Sequence, residues 1–296
     1  MSAFQPTAYL LVSHGSRDPR PQAAMNRIAH LVRKDLEQRS PPRPSRSAPR
    51  RMPQDDVETY PTGPQPSAEN APRPLPLLVG TACLELGILP LSQQIIDFSQ
   101  RAQAAGMKRI RIVPLFLLKG VHVMDDIPAQ VELARQQIGE QLSLEVCPHL
   151  GSHPGIKQLI RRRIRDAAAD AWLLLSHGSR RPRGNHAVEK LAQELGAETA
   201  FWSVPPHLEH QVIQMMQSGH QRLTILPYFL FTGGITDALT RVTEELAERF
   251  PKITIRLLPP LGATQEMALL VSDLAMYGAN RGSVTTLPMS LTALRY

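Results

Sequence analysis

The chain has 296 residues, 42% hydrophobic and 20% charged, with 33 Lys and Arg against 26 Asp and Glu for a formal net charge of +7. That length can bury a large core and favours two domains over one, and no apolar run approaches the length needed to span a bilayer, so no membrane partner is expected. The basic balance points to an anionic partner, but aromatic residues make up only 5% of the chain and are not interleaved with the basic ones, so nucleic acid is not expected either.

Residues 1–7 carry no basic leader, and the apolar run behind them is too short for a signal peptide, which predicts a cytoplasmic protein. Cys83 and Cys147 have no Cys-x-x-Cys spacing and read as small buried hydrophobes. The first strand is expected over residues 8–13 and runs into Ser13-His14-Gly15-Ser16-Arg17-Asp18-Pro19-Arg20. An apolar run that stops at Ser-His-Gly-Ser-Arg is a buried strand offering a histidine at its carboxyl end, where open α/β sheets bind their ligands. A helix follows over 22–38. Residues 40–74 are dense in Pro, Ser and Arg and nearly free of large aliphatics, so they read as a disordered insertion that cannot bury enough surface to offset its ordering entropy. Strands at 77–82, 109–118 and 142–147 then alternate with helices at 91–105, 127–140 and 155–169. The last of these holds Arg161-Arg162-Arg163-Ile164-Arg165, the densest basic run, which reads as a solvated helix face.

At Leu173-Leu174-Leu175-Ser176-His177-Gly178-Ser179-Arg180 the opening pattern returns. Strands at 171–176, 198–203, 222–231 and 253–258 alternate with helices at 186–195, 208–218, 235–250 and 264–276. The expected architecture is α/β, two tandem doubly wound parallel-sheet domains related by duplication: an N-terminal domain over 1–169, a C-terminal repeat over 170–280 and a tail over 281–296.

Chemistry needs specific side chains where packing needs only approximate ones, so the two copies serve as an internal control. Pro114-Leu115-Phe116-Leu117-Leu118-Lys119-Gly120 matches Pro227-Tyr228-Phe229-Leu230-Phe231-Thr232-Gly233, but His122 has become Ile235 and Glu85 has become Ser203. Only the first histidine survives in both, as His14 and His177. With His14, Glu85 and His122 at the carboxyl ends of neighbouring parallel strands, two imidazoles and a carboxylate converge in one cleft, a donor set suited to Fe²⁺, Co²⁺, Ni²⁺ or Zn²⁺. Gly15 and Gly120 allow close backbone approach or a positive φ. Ser13 and Ser16, with the amides opening the next helix, could hold an anion. Arg17 and Arg20 either bind carboxylates or fix the loop through Asp18.

These motifs, with Leu84-Glu85-Leu86 and the run from Val113 to His122 followed by Asp125-Asp126-Ile127-Pro128, resemble the sirohydrochlorin chelatases of the CbiX and SirB type, class II tetrapyrrole chelatases. The resemblance covers almost the whole chain apart from the insertion and the tail. It implies that Fe²⁺ or Co²⁺ is inserted into sirohydrochlorin, with no permanently bound cofactor and the metal as a substrate. It also implies that His14 is the catalytic base and a metal ligand, that His122 is the second histidine ligand, and that Glu85 contacts the metal or the macrocycle. Leu117, Leu118, Lys119, Gly120, Val121 and His122 would line the macrocycle, with Ser13, Gly15, Ser16 and Arg17 beside it. Val121 departs from the Gly-Gly-His usual in the family, and the second copy would form the opposite wall of the cleft.

A Ser-His hydrolase is disfavoured: no Gly-x-Ser-x-Gly elbow is present, and Ser16 lies two residues from His14 in one tight loop. A non-catalytic metal or tetrapyrrole carrier would use the same cleft, and turnover separates it from a chelatase. The donor set does not distinguish iron from cobalt, and no motif specifies an oligomeric state.

Overall fold

The structure, a computed structural model, describes residues 5–39 and 77–278. The expected insertion at 40–74 and the tail at 281–296 lie outside the described residues. Eight strands and eight helices alternate along them. The first half runs β1 (Thr7–Ser13), α1 (Pro19–Arg39), β2 (Val79–Cys83), α2 (Leu91–Ala104), β3 (Arg109–Pro114), α3 (Ile127–Ile138), β4 (Ser143–Val146) and α4 (Pro154–Arg165). The second runs β5 (Ala171–Ser176), α5 (His186–Leu195), β6 (Glu198–Phe201), α6 (Leu208–Gln217), β7 (Arg222–Pro227), α7 (Gly234–Arg249), β8 (Thr254–Leu257) and α8 (Gln265–Tyr277).

Each half holds a four-stranded parallel sheet, ordered β2-β1-β3-β4 and β6-β5-β7-β8. In both, the chain steps from the first strand to one side and then crosses to the other, which opens a crevice at the carboxyl ends of β1 and β3 and of β5 and β7. Two strands end four residues earlier than the sequence suggests, β3 at Pro114 and β7 at Pro227 instead of 118 and 231, and β6 ends two residues early at Phe201. The neighbours of β3 and β7 run out. The last pairs are Val12 with Pro114 and Ile112 with Val146, so after Leu115 N–H reaches Val12 O at 2.7 Å the chain has no ladder to join and leaves the sheet.

Alternation along the strands sorts the core into three layers. Leu10, Val12, Ile110 and Ile112 face outward onto α2 and α3, packing with Ile95, Phe98 and Val131. Leu173, Leu175 and Ile225 do the same against Val212, Leu239 and Leu246 of α6 and α7. Leu11 and Val113 of one sheet and Leu174 and Leu226 of the other face inward onto a shared layer built from α1, α4, α5 and α8.

The shared layer is held by an exchange of last helices. α8 packs on α1 and β3 of the first half, where Arg111 donates to the carbonyls of Ala275 and Met276 at its C-terminus. In return, Arg163 of α4 donates to the carbonyls of Pro259, Pro260 and Leu261 at 3.0, 2.9 and 2.7 Å, Arg162 pairs with Glu266, and Lys157 pairs with Glu194 of α5. The basic run read as a solvated face is therefore largely a set of staples between the halves. Beneath it, Arg39 bridges Asp35 and Asp273, with His153 Nε2 at 3.7 Å from the Asp273 carboxylate. Burial alone would raise the Asp273 pKa, but the hydrogen bonds of His153 and Arg39 bring it below the ordinary carboxylate value. Among the described residues no helix is long and apolar enough to cross a membrane.

Candidate functional site

His14 stands one residue past the end of β1. The segment after β2 runs beside it, with Leu84 N–H donating to Ser13 O at 2.9 Å and Glu85 N–H to His14 O at 2.8 Å, so Glu85 is fixed alongside His14 by backbone alone. Gly15 makes this possible: its φ is +100°, and a Cβ there would sit 1.9 Å from the Glu85 carbonyl oxygen. The side chains come together in consequence, His14 Nε2 lying 3.7 Å from Glu85 Oε2 with both half-exposed.

His122 opens a π-helical turn over His122–Asp126 that leads into α3. Such turns are rare and concentrate at functional sites. Here the turn sets His122 Nδ1 at 2.7 Å from Asp126 Oδ2. In the tautomer with the proton on Nδ1 the Asp126 carboxylate accepts it, and the Nε2 lone pair is left free for a metal. The His14 and His122 rings meet edge to face, centroids 4.8 Å apart, and Phe116 lies 6.4 and 6.0 Å from them.

One donor atom each from His14, Glu85 and His122 lies within 4.8 Å of the others. Metal–nitrogen and metal–oxygen bonds of about 2.1 Å put donors up to roughly 4 Å apart, so a small rotation of the half-exposed side chains completes a three-donor site with open positions. The site opens into a cleft of about 560 Å³ between the halves. Its walls come in matched pairs: Leu115 and Tyr228, Phe116 and Phe229, Leu117 and Leu230, Leu118 and Phe231. This is a mainly apolar slot with a few polar groups from both halves, the usual form of a small-molecule site. Burial raises the Tyr228 pKa above the ordinary phenol value, and its hydroxyl donates to Leu117 O at 3.4 Å, tying one wall to the other.

The second copy has the frame without the donors. Trp202 N–H donates to Ser176 O and Ser203 N–H to His177 O, both at 2.9 Å, which makes Ser203 the structural counterpart of Glu85. Its hydroxyl turns back to His177 O at 2.8 Å. Ile235 occupies the place of His122, so His177 lines the cleft without partner donors.

Of the residues singled out in the sequence, Ser13, His14, Gly15, Ser16, Leu117, Leu118, Gly120 and His122 line the cleft, and Glu85 stands beside His14. Arg17, Lys119 and Val121 do not line it. Arg17 and Lys119 are exposed beyond it, Lys119 near enough to His149 to add to the burial that lowers that histidine's pKa, and Val121 caps the π-turn. Of the two readings of Arg20, the loop-fixing one describes the structure: it pairs with Asp18 and, across the halves, with Asp237 at 2.9 and 2.6 Å. Its side-chain hydrogen bond, backed by its backbone N–H, holds the Asp18 carboxyl at about 2. Sequence reasoning missed Asp126, although its i, i+4 spacing from His122 was a signal. It also missed Phe116 and the aromatic wall of the second half, which the matched repeat contained.

A family model described as CbiX matches residues 79–167 and again 171–275. A sirohydrochlorin cobaltochelatase of Priestia megaterium is 23% identical over 218 residues, covering 68% of this chain and 70% of that one. A sirohydrochlorin ferrochelatase of the same organism is 26% identical over 155 residues, covering 48% of this chain and 58% of the relative. Among solved structures, SirB from Bacillus subtilis with Fe³⁺ superposes with a TM-score of 0.64 at 18% identity, covering 92% of this chain and 96% of that one. The structure of CbiX, described as the terminal enzyme for siroheme biosynthesis in denitrifying bacteria, gives 0.50 at 20% identity, covering 90% and 96%. The family match takes in both halves and more than half of the residues, and the chain belongs to the CbiX family.

Proposed function

We propose that this protein is a sirohydrochlorin chelatase that inserts Fe²⁺ or Co²⁺ into the tetrapyrrole, with the metal as substrate and a single centre in the first half. The observation that carries the reading is the trio His14, Glu85 and His122 beside an apolar slot lined by both halves. The relatives named sirohydrochlorin cobaltochelatase and ferrochelatase support it.

In this reading the ring lies between the paired walls, Leu117 and Leu118 against Leu230 and Phe231, with its centre over the donors. Insertion forms metal–nitrogen bonds to the ring and releases two pyrrole protons. Neutral imidazoles hold the metal, and Asp126 keeps His122 in the required tautomer. As ring nitrogens replace the protein ligands, the lone pair freed on His14 accepts one pyrrole proton and the freed Glu85 carboxylate the other, and both half-exposed groups pass them on to solvent, so His14 acts first as ligand and then as base. The slot contributes orientation and exclusion of water, with no covalent intermediate. Two free cysteines fit a reducing compartment, and cytoplasmic placement belongs to the same proposal.

Metal insertion followed by absorbance, with sirohydrochlorin and either Fe²⁺ or Co²⁺, tests the reading. His122→Ala abolishes insertion, and His177→Ala reduces it less. Equal loss from both overturns the single centre, and binding without turnover in the unaltered protein makes it a carrier.

A further inference from the structure

Both copies contribute the same segments to the cleft, so each feature of one copy has a sequence counterpart in the other, and the two sets differ. In the first copy Asp18 caps α1, accepting from Arg20 N–H at 2.9 Å with Pro19 in the first helical position. Arg20 then joins Asp18 to Asp237 in the first turn of α7. The same loop closes on Gly233, where a Cβ would find Pro21 and Asp18 at 3.7 and 3.9 Å. Here the cleft is latched.

In the second copy the counterpart of Asp18 is Arg181. The match is fixed by backbone: Asp18 N–H donates to Ser16 Oγ at 3.0 Å, and Arg181 N–H to Ser179 Oγ at 3.2 Å. An arginine cannot accept the helix N–H groups. α5 accordingly starts only at His186, whereas α1 starts at Pro19, the counterpart of Pro182. Residues 182–185 stay in a turn that holds Arg183 at φ +61°, a conformation rare for such a side chain. The counterpart of Asp237 is Met124, 50% exposed, so Arg183 has neither of the carboxylates that engage Arg20. Nothing lies within 4 Å of the Cβ position at Gly120, the counterpart of Gly233. Among the described residues the exposed side chains of Arg180, Arg181 and Arg183 have no ion pair or hydrogen bond.

We infer that the unlatched end is the mouth of the cleft, and that Arg180, Arg181 and Arg183 dock the peripheral carboxylates of the tetrapyrrole there. The inference rests on the chelatase reading, which supplies a polycarboxylate substrate. Guanidinium groups take carboxylates in a bidentate fork, and three of one sign around an opening steer an anion towards it in a salt-dependent way. Each exposed pair is weak, so the effect belongs to the set.

The test compares the intact chain with a variant carrying Arg180→Gln, Arg181→Gln and Arg183→Asn, asparagine being chosen because it tolerates the left-handed backbone. A charge-matched control carries Arg165→Gln, Lys252→Gln and Arg256→Gln, none of which belongs to the loop that follows the cleft-lining His177. The expected result is a KM for sirohydrochlorin raised about tenfold in the first variant, with kcat within twofold and a flatter dependence of kcat/KM on ionic strength. The control keeps the KM of the intact protein, and Co²⁺ titrated without tetrapyrrole binds all three alike. An unchanged KM, an equal rise in the control, or a loss of Co²⁺ binding overturns the inference while the chelatase reading stands. Failure of the intact protein to metallate sirohydrochlorin removes that reading and the inference with it.

Discussion

Asp126 touches no substrate in the proposed reaction, yet its replacement should be felt at the metal. It accepts the His122 Nδ1 proton at 2.7 Å from the far end of the π-turn, and this one bond sets both the tautomer and the ring orientation. Outer partners of this kind are worth about 10–100-fold in metal affinity, or roughly 1.4–2.7 kcal/mol. Asp126→Asn keeps an acceptor oxygen in the same place but loses the charge, and belongs near the lower bound. Asp126→Leu loses the acceptor and leaves His122 free to rotate or change tautomer, and belongs near the upper. Calorimetric titration of Co²⁺ into the protein without tetrapyrrole measures both, and insertion kinetics should show the same order with the KM for sirohydrochlorin unchanged. If both variants bind Co²⁺ like the unaltered protein while His122→Ala does not, Asp126 does not orient the ligand and the tautomer argument fails.

Gly15→Ala should be far more damaging to insertion than its counterpart Gly178→Ala. The new Cβ at Gly15 meets the backbone carbonyl of Glu85 at 1.9 Å and must part Glu85 from His14, whereas at Gly178 it meets the side chains of Val204 and Phe201 at 2.6 and 2.8 Å. Both carry the left-handed backbone cost of about 1–2 kcal/mol in thermal unfolding, to which the backbone collision at Gly15 adds, so a larger melting shift for Gly15→Ala and a difference of about 100-fold or more in activity between the folded variants are expected. Arg163→Met should lower stability by about 2–4 kcal/mol in urea unfolding, because it leaves three carbonyls of the loop before α8 without their charged donor; a change below about 0.5 kcal/mol would mean that the staple contributes nothing.

Much of this molecule is legible in its sequence because it is written twice. Strand 171–176 and helix 186–195 have the predicted ends, and the convergence of His14, Glu85 and His122 follows from a parallel sheet that brings three strand ends together. What one-dimensional patterning could not show is where the last helix of each half goes. Amphipathicity says that α4 and α8 bury a face, but not against whose sheet, and Arg163 therefore read as solvated although it is half-buried against the other half. The ends of β3 and β7 were misjudged for a related reason. Residues 115–118 and 228–231 are as apolar as a strand because they line a cleft, and hydrophobicity does not distinguish a wall from a core.

A planar ring can receive a metal from one face and enter a slot from one end, and a symmetric pair of halves would offer two of each. Four differences between the copies remove that ambiguity, in two independent sets. Glu85 against Ser203 and His122 against Ile235 leave, among the described residues, a three-donor group in the first copy and His177 without partner donors in the second. Asp18 against Arg181 and Asp237 against Met124 latch one end and leave the other open. In the proposed reaction the first set serves chemistry and the second access, so each should fail separately when altered. For either to matter, the walls must hold their spacing, and that is the task of the exchanged helices. Arg111 closes the end of α8 against the first sheet while Arg163 of α4 holds the loop before α8. A wall that shifted alone would have to break contacts on both sides of the shared layer. The exchanged helices thus tie the two walls of the slot together, and loosening either helix should blur both orientation at the proposed metal site and entry at the proposed mouth.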